Sequence, residues 1–224
     1  MPFAPCAPLM PGQQLQTSAF ILARQPSGSD AFEQLTAFSG EQGVLLCLTR
    51  LPKTAKASPS RRTSAPQSEG RLDLFDEAEL WIESSNQGRS WFIKEHRIIH
   101  RHDGIGRSYE ALKVAAALGQ LLSRNPVPDE SRESVTVLLR SSLGALAAGG
   151  RPDIVWIKTL YCLLRDEGYP VKQQWWPQLA AADRDMAAQL LNQPLATQTA
   201  EPATVVRITR RLEDWVAAET EIRV

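Results

Sequence analysis

Three histidines, His96, His100 and His102, stand close together and are the only ones in the 224-residue chain. A metal site would need them on one face, and they do share strand parity. Arg97, Arg101 and Arg107 run through the same stretch and would repel a cation, with Asp103 as the one carboxylate beside them. The expectation is therefore no metal, but a basic strand end where a partly charged histidine assists anion binding. The acids Asp73, Glu77, Glu79 and Glu83 alternate along a strand-like run. Paired carboxylates can do acid–base chemistry, but acids at every second strand position ordinarily form its solvated face. No glycine-rich phosphate loop of Walker or Rossmann type is present, and Gly104-Ile-Gly106 is a lone G-x-G that reads as a joint. No serine, cysteine or threonine sits beside a recognisable base and orienter. The expectation is a protein that is not an enzyme and carries no cofactor.

Charge is the stronger signal. The chain holds 25 basic and 25 acidic residues, so no global field recruits a partner. Between Arg50 and Arg71, however, lie Arg50, Lys53, Lys56, Arg61, Arg62 and Arg71 against a single acid, Glu69. Bases at this density suit sequence-independent, salt-sensitive contact with phosphates. The stretch from Pro52 to Gly70 has no apolar period and exceeds the ~12–15 residues usual for a structureless connection, so it reads as either functional or a plain surface linker. It contains no aromatic residue. Trp81, Trp91 and Phe92 on the neighbouring strands are the candidates for stacking on bases, against the alternative that they fill a core.

Several classes are excluded by composition. The hydrophobic fraction is 43%, enough for a buried core. Cys6, Cys47 and Cys162 are odd in number and far apart, which argues against a disulfide scaffold or a Cys-x-x-Cys site. A reducing, cytoplasmic compartment is expected. No apolar run approaches the ~20 residues that span a bilayer. The first sixteen residues, rich in proline and lacking a basic leader, read as a loose arm rather than a signal peptide.

The elements that must position these residues follow from pattern. Strands are expected over Thr17–Gln25, Ala31–Ser39, Val44–Leu51, Leu72–Glu83 and Arg89–Lys94 onward, separated by turn chemistry such as Pro26-Ser-Gly-Ser-Asp30 and Ser84-Ser-Asn-Gln-Gly88. In the fourth, Leu72, Leu74, Ala78, Leu80 and Ile82 share one parity, and Asp76 interrupts the row, predicting a bulge or twist. Five short strands in about ninety residues predict a small barrel or sandwich. From Arg107 the period becomes helical. Ser108 caps a first helix, and a second begins near Asp129 or Ser131. A third starts at Pro152 and ends at Gly168-Tyr-Pro170. Trp175-Trp-Pro177 opens a fourth, carrying Leu179, Ala182, Met186 and Leu190. A fifth carries Val205, Ile208, Leu212 and Trp215. Trp156, Trp175 and Trp176 read as helical core, with the tandem pair as a possible edge of a peptide groove. The predicted class is α+β, with residues 1–16 as arm, 17–103 as a strand domain and 104–224 as a helical domain.

The order of these pieces resembles the RecO family of recombination mediators, from about Thr17 to the C-terminus. The matching pieces are Ala19-Phe-Ile-Leu-Ala-Arg24 with Pro26-Ser-Gly-Ser-Asp30, and Leu35-Thr-Ala-Phe-Ser-Gly-Glu-Gln-Gly43. They continue with the Arg/Lys/Ser loop, Leu74-Phe-Asp-Glu-Ala-Glu-Leu80, Ser108-Tyr-Glu-Ala-Leu-Lys-Val-Ala-Ala-Ala-Leu118 and Leu160-Tyr-Cys-Leu-Leu-Arg-Asp-Glu-Gly-Tyr-Pro170. The resemblance implies a five-stranded OB-fold β-barrel followed by an all-helical domain. It implies binding and annealing of single-stranded DNA, with duplex DNA as a second form, in DNA repair. It also implies contact with the C-terminal tail of single-stranded-DNA-binding protein, and partnership with RecR in loading recombinase. Many members carry a four-cysteine zinc module after the Gly-Tyr-Pro segment. Here Val171-Lys-Gln-Gln-Trp-Trp176 follows instead, so no zinc is expected.

The reading that joins these strands of argument is a DNA repair mediator, cytoplasmic and nucleoid-associated, with no membrane contact. Arg50, Lys53, Lys56, Arg61 and Arg62 would hold phosphates, with Arg24, Lys94 and Arg97 as second-tier contacts. The rival is an OB-fold interaction adaptor without significant DNA binding.

Overall fold

The computed structural model describes residues 12–51, 70–85 and 89–224. Strands whose apolar residues alternate come first: β1 (Gln14–Pro26), β2 (Phe32–Ser39), β3 (Gly43–Arg50), β4 (Glu77–Ser85) and β5 (Ser90–His100). Antiparallel pairing joins β1 to β2 and β4, β2 to β3, and β4 to β5, while β3 runs parallel to β5 over a short stretch. The order β1-β2-β3-β5-β4 returns to β1, so the five-stranded mixed sheet closes on itself. Closure leaves one inward row per strand. Ile21, Leu35, Cys47, Leu80, Ile82 and Trp91 belong to the resulting core. Burial pushes the Cys47 thiol up to about 12, which makes it an inert core residue.

Six helices follow, so the class is α+β: α1 (Tyr109–Arg124), α2 (Arg132–Ala147), α3 (Pro152–Asp166), α4 (Val171–Gln178), α5 (Ala181–Asn192) and α6 (Pro202–Glu219). The contacts divide the chain into two units, Met1–Arg101 and His102–Val224. In the helical unit α3 is central, packing on α1, α2, α4, α5 and α6. It can do so because Ile154, Val155, Ile157, Leu160, Leu163 and Leu164 bury more than one face. Polar links fix its neighbours. Ser142 and Thr159 share a buried 2.7 Å hydroxyl contact between α2 and α3. The Lys158 ammonium donates to the carbonyls of Leu190, Leu191 and Gln193 at the end of α5, satisfying groups that a helix end leaves open. Ser108 caps α1 by accepting the Ala111 N–H at 3.2 Å. Among the described residues, no helix is long and apolar enough to cross a membrane.

Three expectations need correction. Gln14, Leu15 and Gln16, assigned to a loose arm, are the start of β1 and pair with Glu83, Ile82 and Trp81. The alternating run from Leu72 does not begin the fourth strand, which starts at Glu77. Instead the Asp76 carboxylate accepts the Asp73 N–H at 2.8 Å, and Phe75 sits at φ 67° with its ring buried, so the chain turns before the strand. Leu74 shares the inward parity in the sequence but is exposed, because that turn takes it off the ladder. The expected fourth helix is two. The Trp175-Trp-Pro177 segment closes the short α4, and Leu179 is extended before α5 begins. Pro177 contributes no N–H and constrains the residue before it, which favours the break.

Candidate nucleic-acid interface

β3 carries Arg50 to the end of the barrel from which the basic stretch departs. Lys53, Lys56, Arg61 and Arg62 lie outside the described residues. Arg50 is exposed, stands opposite Phe32 of β2, and has no ion-pair partner among the described residues. It borders a cavity of about 240 Å³ with Glu33, Thr49, Arg71, Leu72 and His96. The His96 Nε2–H donates to the Gly70 carbonyl at 2.9 Å and so ties β5 to the far end of the basic stretch.

The other cations near this end are committed to acids. Arg24 makes a two-pronged contact with Glu33 at 2.8 and 3.1 Å and reaches Asp73 at 2.8 Å. Arg71 adds a second guanidinium to Glu33 at 2.9 Å, and Arg101 pairs with the buried Asp76 at 3.3 Å while donating to the Arg71 carbonyl. Fork-to-carboxylate geometry makes such contacts strong and directional. The Arg24 hydrogen bonds, then those from Arg71, hold the Glu33 carboxyl below its usual range, against the opposing effect of burial. Hydrogen bonds to Glu33, and then to Asp73, raise Arg24 in turn. This network anchors Gly70 and Arg71 to the barrel. It leaves Arg24 only 17% exposed, a positioning residue more than a free cation.

Lys94 and Arg97 lie on the outer face of β5, and each meets an acid of β4. Lys94 is 2.9 Å from Glu83, and Arg97 is 2.5 Å from Glu79. Gln16 also donates to Glu79, and its hydrogen bond comes ahead of Arg97's in holding that carboxyl below its usual range. Glu79 and Glu83 of β4 are thus a salt-bridged outer row with Trp81 between them, in a shallow groove bordered by Gln14, Gln16, Lys94 and Glu95, whereas Glu77, expected on the same solvated face, is buried. Trp91 is core, 4% exposed. Phe92 turns outward and meets Phe32 at a ring-centroid distance of 5.7 Å. Phe32 is not among the stacking candidates the sequence offers, although its parity, opposite to Leu35 and Ala37, already places it on the outer face.

The histidines do not gather as ligands. His96 is occupied with Gly70, His100 is exposed, and His102 is buried in the helical unit. Among the described residues no group of three or more histidines, cysteines or acids is placed to hold a metal ion. In the helical unit, Trp156 donates to Glu213 at 2.7 Å, and Trp175 is buried against Tyr161 and Trp176. A shallow recess of about 240 Å³ bordered by Leu179, Arg211, Asp214 and Trp215 lies beside them. The tandem pair is therefore divided between core and surface.

No protein-family model matches the chain, and no curated protein matches it.

Proposed function

We propose that the protein is a non-enzymatic DNA repair and recombination mediator whose strand unit is an OB-fold that binds single-stranded DNA. The observation that carries this reading is the placement of Arg50. It is an exposed guanidinium with no acid partner among the described residues, standing where β3 hands over to the only basic concentration in a neutral chain. The neighbouring cations Arg24, Lys94 and Arg97 are neutralised by Glu33, Asp73, Glu83 and Glu79. The reading therefore places phosphate capture on Arg50 with Lys53, Lys56, Arg61 and Arg62, and gives the paired cations a secondary part. The strand order β1-β2-β3-β5-β4, closed on β1 with β3 parallel to β5, supports the OB-fold assignment. The likeness to the RecO family extends the proposal to strand annealing, to contact with RecR and with the tail of single-stranded-DNA-binding protein, and to recombinase loading.

The test is fluorescence anisotropy of a labelled single-stranded oligonucleotide across a salt series. Binding at low salt should weaken with a log–log slope near −0.7 for each phosphate neutralised. Absence of binding at low salt would sink the proposal. The internal pairing of Arg24, Lys94 and Arg97 favours a second reading, an OB-fold interaction adaptor without significant DNA binding. That reading expects partner capture with no oligonucleotide affinity.

A further inference from the structure

We infer that the outer face of β1, β4 and β5 around Trp81 is a docking surface for a basic segment of a protein partner, an arginine of which stacks on the indole. The inference goes beyond the DNA-binding reading and does not depend on it.

Register puts Trp81 at the centre of this face. Along β4 it stands between Glu79 and Glu83, with Gln16 of β1 opposite it on one side and Glu95 of β5 on the other. Its neighbours Leu80 and Ile82 point into the core, so alternation turns the indole outward, where it is half-buried. It borders a shallow groove of about 420 Å³ together with Gln14, Gln16 and Glu95. The register shift between Trp81 and Ile82 leaves Lys94 as an extra residue on β5, and such a bulge turns the ladder aside at the rim of the groove.

Charge decides what the groove accepts. Lys94 is held by Glu83 and Arg97 by Glu79. Glu95 is exposed and has no cation partner among the described residues. Three carboxylates therefore meet two cations around the ring, and the one in excess stands directly across from the indole. The face of an indole attracts a cation through its quadrupole, and a carboxylate beside it adds an ion pair. A guanidinium answers both, because its plane stacks on the ring while its in-plane N–H groups donate to a carboxylate. Gln16 gives its amide N–H to Glu79, so its carbonyl oxygen remains an acceptor at the same rim, and the Gln14 amide has no partner among the described residues. A polyanion meets an excess of like charge here and is turned away. The groove is open and shallow, so it takes one side chain of a longer segment lying across the strands and does not enclose a free small molecule.

The indole N–H signals of the six tryptophans in the nitrogen-15-labelled full chain provide the readout, with that of Trp81 assigned from the spectrum of Trp81→Phe. A capped Gly-Arg repeat peptide should shift the Trp81 signal and leave that of the core residue Trp91 in place. A Gly-Lys peptide of equal length should do so more weakly, and a Gly-Glu peptide not at all. Trp81→Ala should weaken the arginine peptide about five-fold, and Glu95→Gln should weaken it by a similar factor. Glu95 is exposed and unpaired among the described residues, so its variant keeps the test decisive even if Trp81→Ala fails to fold. An unmoved Trp81 signal overturns the inference, as does peptide affinity that survives both substitutions. A signal that moves on diluting the protein alone makes a second copy the occupant, and one that moves equally with spermidine makes it a free polyamine; either result overturns the inference. A Trp81 shift driven by oligo-dT overturns it as well, by making this face a nucleic-acid surface. Failure of oligo-dT to bind anywhere removes the DNA-binding proposal and leaves this inference standing.

Discussion

Glu33 accepts hydrogen bonds from Arg24 and Arg71 while its own side chain is only 15% exposed. Both guanidiniums favour the charged carboxylate, and its pKa falls below the ordinary 4.5. A carboxyl lowered in the folded state contributes stability that is complete above the unfolded value and is lost as pH falls through the folded one. Glu33→Gln should therefore cost about 1 kcal/mol at neutral pH, the modest size reflecting partial exposure to water. The difference from the unaltered protein should shrink as pH drops below about 4.5. Urea-unfolding midpoints measured for both proteins across that range check the expectation; a gap independent of pH would count against the pairing. None of this network is visible in sequence spacing. Arg24, Glu33, Asp73 and Arg71 sit on three different segments: the β1–β2 hairpin brings Arg24 to Glu33, and the segment ahead of β4 brings Asp73 to Arg24 and Arg71 to Glu33.

At the scale of elements, the two glycines of Gly104-Ile-Gly106 behave differently. A Cβ on Gly104 would lie 1.9 Å from the carbonyl oxygen of Ala147 at the end of α2, where backbone meets backbone. At Gly106 a Cβ would meet nothing within 4 Å. Gly104→Ala should lose about 3 kcal/mol or more, because neither backbone segment can yield without displacing its element. Gly106→Ala should be neutral or slightly stabilising, by about 0.4–1 kcal/mol. Thermal unfolding of the two variants side by side checks the contrast. The sequence marked this place as a joint, and it marked Ser108, Pro152 and the stop at Gly168, two residues past the end of α3, from cap and breaker chemistry that acts within a few residues. It did not separate α4 from α5, since Leu179 continues the three-four spacing while Pro177 and the packing of Trp175 end the helix before it.

For the whole molecule, net charge is a poor guide to what any one surface does. The 25 basic and 25 acidic residues cancel in total, yet Glu79 and Glu83 share the outer row of β4 while Arg50 of β3, unpaired among the described residues, stands beside the basic stretch. Replacing Arg50, Lys53, Lys56, Arg61 and Arg62 with alanine should reduce the magnitude of the log–log salt slope for single-stranded DNA by about 0.7 per lost phosphate contact. Folding should be unaffected, since Arg50 is exposed and takes no part in the ion-pair network. Circular dichroism and anisotropy titrations on the same preparation check both halves of the statement. A slope identical to the unaltered protein would mean that DNA binds elsewhere.

Local chemistry was enough to announce strands followed by helices, the alternating inward row of Ala78, Leu80 and Ile82, the cap at Ser108 and the basic stretch after Arg50. Each of these depends on residues within a turn or two of one another, where spacing alone decides which side chains share a face. Tertiary structure decided the rest. Whether a cation is available to a ligand depends on which acid a neighbouring strand brings to it. Whether Trp81, Trp91 or Phe92 faces outward depends on register, and a bulge between Trp81 and Ile82 shifts that register along β5. Thus Arg24, Lys94 and Arg97, equal to Arg50 as cations in the sequence, are paired with acids in the fold. Arg50 alone of the four has no acid partner among the described residues, and it meets solvent beside Phe32.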